Sequence, residues 1–307
     1  MVKLALLSAA IGGLWTYSRR ETSRYESLEL SEVEKPGRVV SVDGVGIHYL
    51  EAGSGPALLL IHGLGASTFT FRRILPDLAR RFRVVALDLK GFGFSERPDG
   101  DYTLSTQAAL VLQVMDRLGI ERTSVLGHSM GGAVAMRLAL ACPERVERLI
   151  LASSASDREL GRLIWGAALI GRLLPIAAPF SLHNQRFREL SLKSGYCDPN
   201  RCTEDVIEGY MLPGRVRGYL RALGNTMAHW RRDPPLRPAD ITQPTLILWG
   251  EGDHWLPPSR GERLHRLIPG SRLALVGGGG HLFLEEQPEA SLHLIEEFLL
   301  ESEPADQ

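Results

Sequence analysis

Cysteine is scarce in this chain of 307 residues, and the three present, Cys142, Cys197 and Cys202, are an odd number that excludes a fully paired disulfide framework. Cys142 sits in an Ala- and Leu-rich stretch and reads as a small core residue. Cys197 and Cys202 lie in Cys-Asp-Pro-Asn-Arg-Cys, a spacing that fits a small disulfide loop in an oxidising compartment; two free thiols are the preferred reading. No third or fourth ligand accompanies them, so no metal site and no cofactor are expected. An excess of charge of one sign is also missing. Lys and Arg total 35 against 36 Asp and Glu, a net charge of -1, which offers no field to attract nucleic acid. Internal repeats and low-complexity tracts are absent. The remaining composition, 44% hydrophobic and 23% charged, is that of a soluble globular chain long enough for one large core.

Hydrophobic runs long enough to span a bilayer are lacking too. The longest candidate is the N-terminus, where fifteen uncharged residues from Leu4 to Ser18 fall short of the ~20 that a transmembrane helix needs. Trp15, Tyr17, Arg19 and Arg20 resemble an interfacial belt, so residues 1–20 are expected to associate with a membrane surface. A cytoplasmic location, with the segment packed on the domain, is the alternative. A secretory signal fits less well, because no small-x-small cleavage site follows a longer apolar stretch. Residues 21–36 are polar and read as a linker.

What is present is an alternation of buried runs and helical stretches. Arg38–Asp43 and Gly46–Glu51, joined at Gly44, predict an antiparallel hairpin. Core strands are expected over Ala57–Ile61, Phe82–Leu87, Ser124–Leu126, Leu149–Ala152, Thr245–Leu248 and Arg272–Val276, with helices such as Ser105–Leu118 between them. Such alternation argues for a mostly parallel sheet covered on both faces. The interval 156–239 breaks it with helical patterns and no convincing strand. Its first half is strongly apolar around Leu163–Ile170 and Leu173–Phe180, which suits an acyl-binding or lipid-facing lid, or simply a buried helix face.

The chemistry is carried by residues 123–132, an apolar run that ends in Gly127-His128-Ser129-Met130-Gly131 and passes into a helical stretch. In such a strand-to-helix turn the glycines admit a sharp bend, the serine hydroxyl is lifted above the sheet, and the Met130 N–H faces a developing negative charge. Five residues alone are weak evidence. A serine nucleophile also requires an acid and a histidine in the order Ser, Asp or Glu, His. Pro244–Gly250 ends in Glu251-Gly252-Asp253, and Ser271–Val276 ends in four glycines and His281. Both groups stand just past strand ends, where catalytic residues of open parallel sheets gather. After the run Ala57–Ile61, His62-Gly63-Leu64-Gly65 supplies a second oxyanion donor, the Leu64 N–H.

Together these residues, with Asp88-Leu-Lys-Gly-Phe-Gly-Phe-Ser95 as a D-x-x-G-x-G-x-S loop, resemble the α/β-hydrolase superfamily over roughly residues 37–300. The resemblance implies an α/β-hydrolase fold: a mostly parallel eight-stranded sheet with helices on both faces and an inserted helical cap. The core would comprise 37–155 and 240–302, and the cap 156–239. It implies Ser129, Asp253 and His281 as the triad, with Leu64 and Met130 as oxyanion donors. His128, Trp165 and Leu282 are candidate substrate contacts.

Rivals within the chain are weaker. His254 adjoins Asp253 and cannot readily pair with its own neighbour. Glu251 yields to Asp253 by family position, His62 reads as a residue that shapes its loop, and His128 is expected to point away from the nucleophile. A serine at the elbow, where dehalogenase and epoxide-hydrolase relatives carry an aspartate, implies acyl chemistry. Hydrolysis of carboxylic esters follows, on medium-chain or lipid esters such as monoacylglycerols, with a small-molecule ester as the ligand. The alternatives are carbon-carbon bond hydrolysis of ring-cleavage products, whose enzymes tend to carry Asn and Trp where this chain has His128 and Leu282, and a receptor or accessory role with an intact triad.

Overall fold

A computed structural model describes residues 2–156 and 184–301 of the protein. Trp165 and the apolar stretches of 163–180 lie outside the described residues.

Eight strands form one sheet in the order β1-β2-β4-β3-β5-β6-β7-β8. They are β1 (Arg38–Val42), β2 (Val45–Ala52), β3 (Ala57–Ile61), β4 (Arg83–Leu87), β5 (Thr123–His128), β6 (Val146–Ala152), β7 (Thr245–Gly250) and β8 (Arg272–Val276). β1 pairs antiparallel with β2, and β2 antiparallel with β4; every later pairing is parallel. The expected hairpin and all six core strands are present. The turn at Asp43-Gly44 explains the hairpin, since both residues have positive φ, 47° and 72°.

Residues of the parallel strands β3 to β7 are buried almost without interruption, because both faces are covered, whereas the edge strand β8 buries only Val276. Successive residues feed opposite sides. Leu59 and Ile61 of β3, Val85 and Leu87 of β4, Leu149 and Leu151 of β6 and Ile247 and Trp249 of β7 join one core cluster. Leu58 and Leu60, Val84 and Ala86, Ile150 and Ala152, Leu246 and Leu248 join the other. The first side is covered by α3 (Leu104–Arg117), α4 (Met130–Ala141) and α8 (Ser259–Leu267), the second by α2 (Leu75–Leu78) and α10 (Pro288–Leu300).

Between β6 and β7 the described residues hold α5 (Gln185–Lys193), α6 (Glu204–Met211) and α7 (Tyr219–His229), and none of them joins the sheet. α9 (Phe283–Glu286) follows β8.

The N-terminal helix α1 runs Val2–Tyr25 and exposes Leu14, Trp15 and Tyr17. No helix among the described residues is long and apolar enough to cross a membrane. The expected linker at 21–36 is corrected at its first part. The helix continues through Tyr25, Glu26 is 5% exposed, and Leu28 forms a parallel bridge with Val216. Polar composition misled here, because one polar group of the stretch, Glu26, is used against the inserted helices rather than against water. Cys142, Cys197 and Cys202 are all free thiols, Cys202 buried and Cys197 exposed.

Candidate active site

Ser129 joins β5 to α4 with φ 53° and ψ -118°, a conformation side chains rarely adopt and one that costs on the order of 1–3 kcal/mol. Three hydrogen bonds hold it. The Ser129 N–H donates to Ala152 O at 2.9 Å, and Ser129 O accepts from Gly132 N at 3.0 Å and Ala155 N at 2.9 Å. The flanking glycines are required by space, not by φ: a Cβ on Gly131 would run into the Ile61 and His62 carbonyl oxygens, and one on Gly127 into the backbone of Gly131. Met130 is the first residue of α4, so its N–H has no partner within the helix.

The loop after β3 abuts the same spot. A Cβ on Gly63 would stand 3.0 Å from Ser129 Cβ, so a side chain there would crowd the serine that the chain carrying Leu64 passes. His62 shapes this loop: its Nε2 accepts from Leu89 N–H at 3.0 Å, which leaves Nδ1 protonated to donate to Gly63 O at 2.7 Å. Burial lowers the His62 pKa, opposed by the Asp88 charge. The D-x-x-G-x-G-x-S segment braces the loop from behind. Asp88 accepts from Thr68 N–H, Phe94 N–H and His48 Nδ1 at 2.6, 2.8 and 2.7 Å, and Ser95 Oγ donates to Asp88 O at 2.6 Å. A side chain on Gly93, where φ is 54°, would collide with that carboxylate.

Asp253 and His281 meet from two different loops. His281 Nδ1 donates to Asp253 Oδ2 at 2.8 Å, while Asp253 Oδ1 accepts from the N–H groups of Trp255 and Leu256 at 2.9 and 2.8 Å. Both side chains are buried. Burial pushes the Asp253 carboxyl up, but the hydrogen bond and charge of His281 with the Leu256 N–H outweigh it and hold the carboxyl below its ordinary value. His254 and Glu251 face solvent and take no part in this pairing. Ser129, His281, Leu64 and Met130 line one cavity, so the residues expected from the elbow and the strand ends converge on one place.

His128 departs from its expected orientation. It does not point away: its ring centre is 4.9 Å from that of His281, and its Nε2 hydrogen-bonds His281 O at 2.9 Å. Burial, helped by the neighbouring His281, lowers its pKa to about 3, so the ring is neutral at physiological pH and steadies the His281 backbone. Leu282 lines the cavity.

Three further residues were not anticipated. Trp255 lays its ring 5.0 Å from His281 and donates from Nε1 to Ser194 Oγ at 3.0 Å, tying the loop of the acid to the end of α5. Glu286 accepts from Gly280, Cys197 and Asp198 N–H groups at 2.8, 2.9 and 2.6 Å, joining the histidine loop to the insertion. Glu285 accepts from Tyr196 and Tyr210 hydroxyls at 2.6 and 2.8 Å and pairs with Arg72. Only the Glu-Glu pair itself was visible in the sequence, and nothing local distinguishes it from a solvated helix start.

The cavity has a volume of about 520 Å³. Its walls are largely apolar, with Leu64, Leu192, Met211, Leu223, Met227 and Leu256 among them. No cluster of metal-ligating side chains occurs among the described residues.

The sequence profile of the α/β-hydrolase fold matches residues 56–189, and an uncharacterized hydrolase of Bacillus subtilis, YugF, is 31% identical over 87% of this chain and 99% of its own length. The chain belongs to the α/β-hydrolase fold family. Among other members, 2-hydroxymuconate semialdehyde hydrolase of Pseudomonas sp. is 30% identical, covering 88% of this chain and 95% of that one. The solved structure of a membrane phospholipase A, described as a bacterial virulence factor, superposes with a TM-score of 0.72 at 29% identity, covering 96% of each chain. The chain is thus an α/β hydrolase.

Proposed function

We propose that this α/β hydrolase cleaves carboxylic esters through a covalent acyl-serine intermediate, with medium-chain or lipid esters as substrates. Ser129 Oγ attacks the acyl carbon as His281 Nε2 takes its proton, and Asp253 holds the imidazole in the tautomer whose Nε2 is free to accept. The N–H groups of Leu64 and Met130 receive the oxyanion; losing one such donor typically costs about 3 kcal/mol. His281 then returns the proton to the departing alcohol. A water molecule, deprotonated by the same histidine, attacks the acyl-enzyme, and collapse frees the acid and Ser129.

The observation that carries this reading is the position of Ser129 and the Asp253-bonded His281 in the wall of a largely apolar cavity, which suits an acyl chain better than a polar group. Similarity to a membrane phospholipase A supports a lipid ester. The exposed Trp15 and Tyr17 of α1 support association of the N-terminal segment with a membrane surface.

A second reading, carbon-carbon bond hydrolysis of ring-cleavage products, draws support from the 30% identity to 2-hydroxymuconate semialdehyde hydrolase. Arg188 also lines the cavity, a cation such a carboxylate-bearing product needs. Side-by-side turnover of p-nitrophenyl esters and a coloured ring-cleavage product separates the two. Ester turnover that vanishes in Ser129→Ala is expected. Preferential loss of the coloured product's absorbance would reverse the assignment, and turnover of neither would favour a binding role.

A further inference from the structure

The profile match begins at residue 56, yet the cavity has a wall that comes from far upstream. Tyr25, the last residue of α1, lines the cavity. Arg188 of α5 covers the Tyr25 ring at 4.3 Å and lines the same space. A side chain begun at Gly214 would come within 3.2 Å of the Tyr25 hydroxyl, so the tyrosine is closely seated against the insertion.

The next residues extend this contact. Glu26 is buried and accepts from the N–H groups of Gly218 and Leu220, both at 2.7 Å, at the first turn of α7. A carboxylate there satisfies two helix N–H groups that lack partners within the helix and sits favourably on its dipole. Leu28 follows, donating to Arg215 O at 3.1 Å and accepting from Arg217 N at 2.9 Å. α7 in turn gives Leu220, Leu223 and Met227 to the cavity. Its first residue, Tyr219, donates from its hydroxyl to Gly65 O at 3.1 Å, one residue beyond the oxyanion donor Leu64. One connected path therefore runs from α1 through Glu26, α7 and Tyr219 to the loop beside Ser129.

We infer that Tyr25 and Glu26 belong to the substrate site: Tyr25 is a specificity-determining wall of the acyl cavity, and Glu26 is a positioning residue that holds α7 and, through Tyr219, the Gly63–Gly65 loop. This rests on the acyl-ester reading of the cavity. It also gives the N-terminal segment a role apart from any membrane contact, since whatever moves α1 moves one side of the acyl site.

The full-length protein is tested with p-nitrophenyl acetate, butyrate, octanoate and dodecanoate. Tyr25→Ala shifts the ratio of kcat/KM for dodecanoate over acetate by about tenfold, chiefly through KM, whereas Tyr25→Phe, which keeps the ring, keeps the wild-type ratio. Glu26→Gln retains the size of the side chain but offers one acceptor where two N–H groups need one each. It lowers kcat by about tenfold for every chain length, because a loop beside the oxyanion is displaced rather than the acyl wall. A purely structural Glu26 would lower the thermal midpoint and leave kcat of the folded enzyme unchanged. An unchanged chain-length ratio in Tyr25→Ala overturns the first assignment, and an unchanged kcat in Glu26→Gln the second.

A binding measurement separates this from failure of the ester reading. In a Ser129→Ala background, a dansyl-labelled long-chain fatty acid is expected to bind about tenfold more weakly when Tyr25→Ala is added. Equal affinity in the two, or no binding even with Tyr25 intact, would overturn the wall regardless of the reaction catalysed.

Discussion

Asp253→Asn separates catalysis from folding more sharply than any other substitution at this site. The carboxylate makes two kinds of contact: Oδ1 accepts from the Trp255 and Leu256 N–H groups, and Oδ2 accepts from His281 Nδ1. Asparagine keeps the first kind, with its carbonyl oxygen on the two backbone N–H groups. Its NH2 is then turned toward His281, which must present a bare Nδ1 and carry its proton on Nε2. That is the tautomer that cannot take a proton from Ser129. The expected loss in kcat is on the order of 10⁴-fold, equivalent to about 5 kcal/mol of transition-state stabilisation. The loss in folding stability is about 1–2 kcal/mol, since one charge-assisted hydrogen bond becomes a neutral one while the loop anchor remains. Ester turnover and a thermal melt of the same preparation measure both. A folded Asp253→Asn variant within tenfold of wild-type activity would refute the pairing and direct attention to another acid, Glu251 first.

Other consequences follow from spacing and burial. Gly131→Ala forces a Cβ against the Ile61 and His62 carbonyl oxygens, both rigid backbone; a cost of about 1–3 kcal/mol in chemical denaturation is expected, with kcat falling as the oxyanion loop is pushed aside. Acid should destabilise the protein in two stretches. His128, with its folded pKa lowered to about 3, stays neutral while the unfolded chain takes up a proton near pH ~6.5, so its contribution is present above ~6.5 and is lost as pH falls from there toward about 3. Asp88 and Asp253 have folded values lowered from the ordinary range, so their contributions hold above ~4 and fade as pH drops through the folded values. Urea midpoints measured from pH 7 downward check both, and a flat profile to pH ~4 would contradict the neutral, buried His128.

The features readable from sequence are those with a local signal. Each parallel strand is a short apolar run, and Ser129, Asp253 and His281 stand just beyond such runs, so period and order point to them. The residues that escaped depend on partners distant in the chain. Trp255 meets Ser194 across 61 positions, Glu286 meets Cys197 across 89, and Glu26 meets Gly218 across 192. A polar stretch that caps a helix far away has the same composition as one that faces water, which is why residues 21–36 read as a linker. His128 illustrates a different limit. Alternation along β5 predicts that its side chain lies opposite that of the next residue, but Ser129 leaves the strand with positive φ, and the two side chains end on the same cavity.

Acyl transfer, as proposed, turns on Ser129 as its nucleophile. The most direct test of that role is to label wild-type protein and Ser129→Ala with a fluorophosphonate and map the adduct by peptide mass spectrometry. A single phosphonylated peptide spanning Ser129 is expected in the wild type, with labelling and ester turnover both lost in Ser129→Ala. An adduct on any other residue, or turnover that survives the substitution, would contradict it.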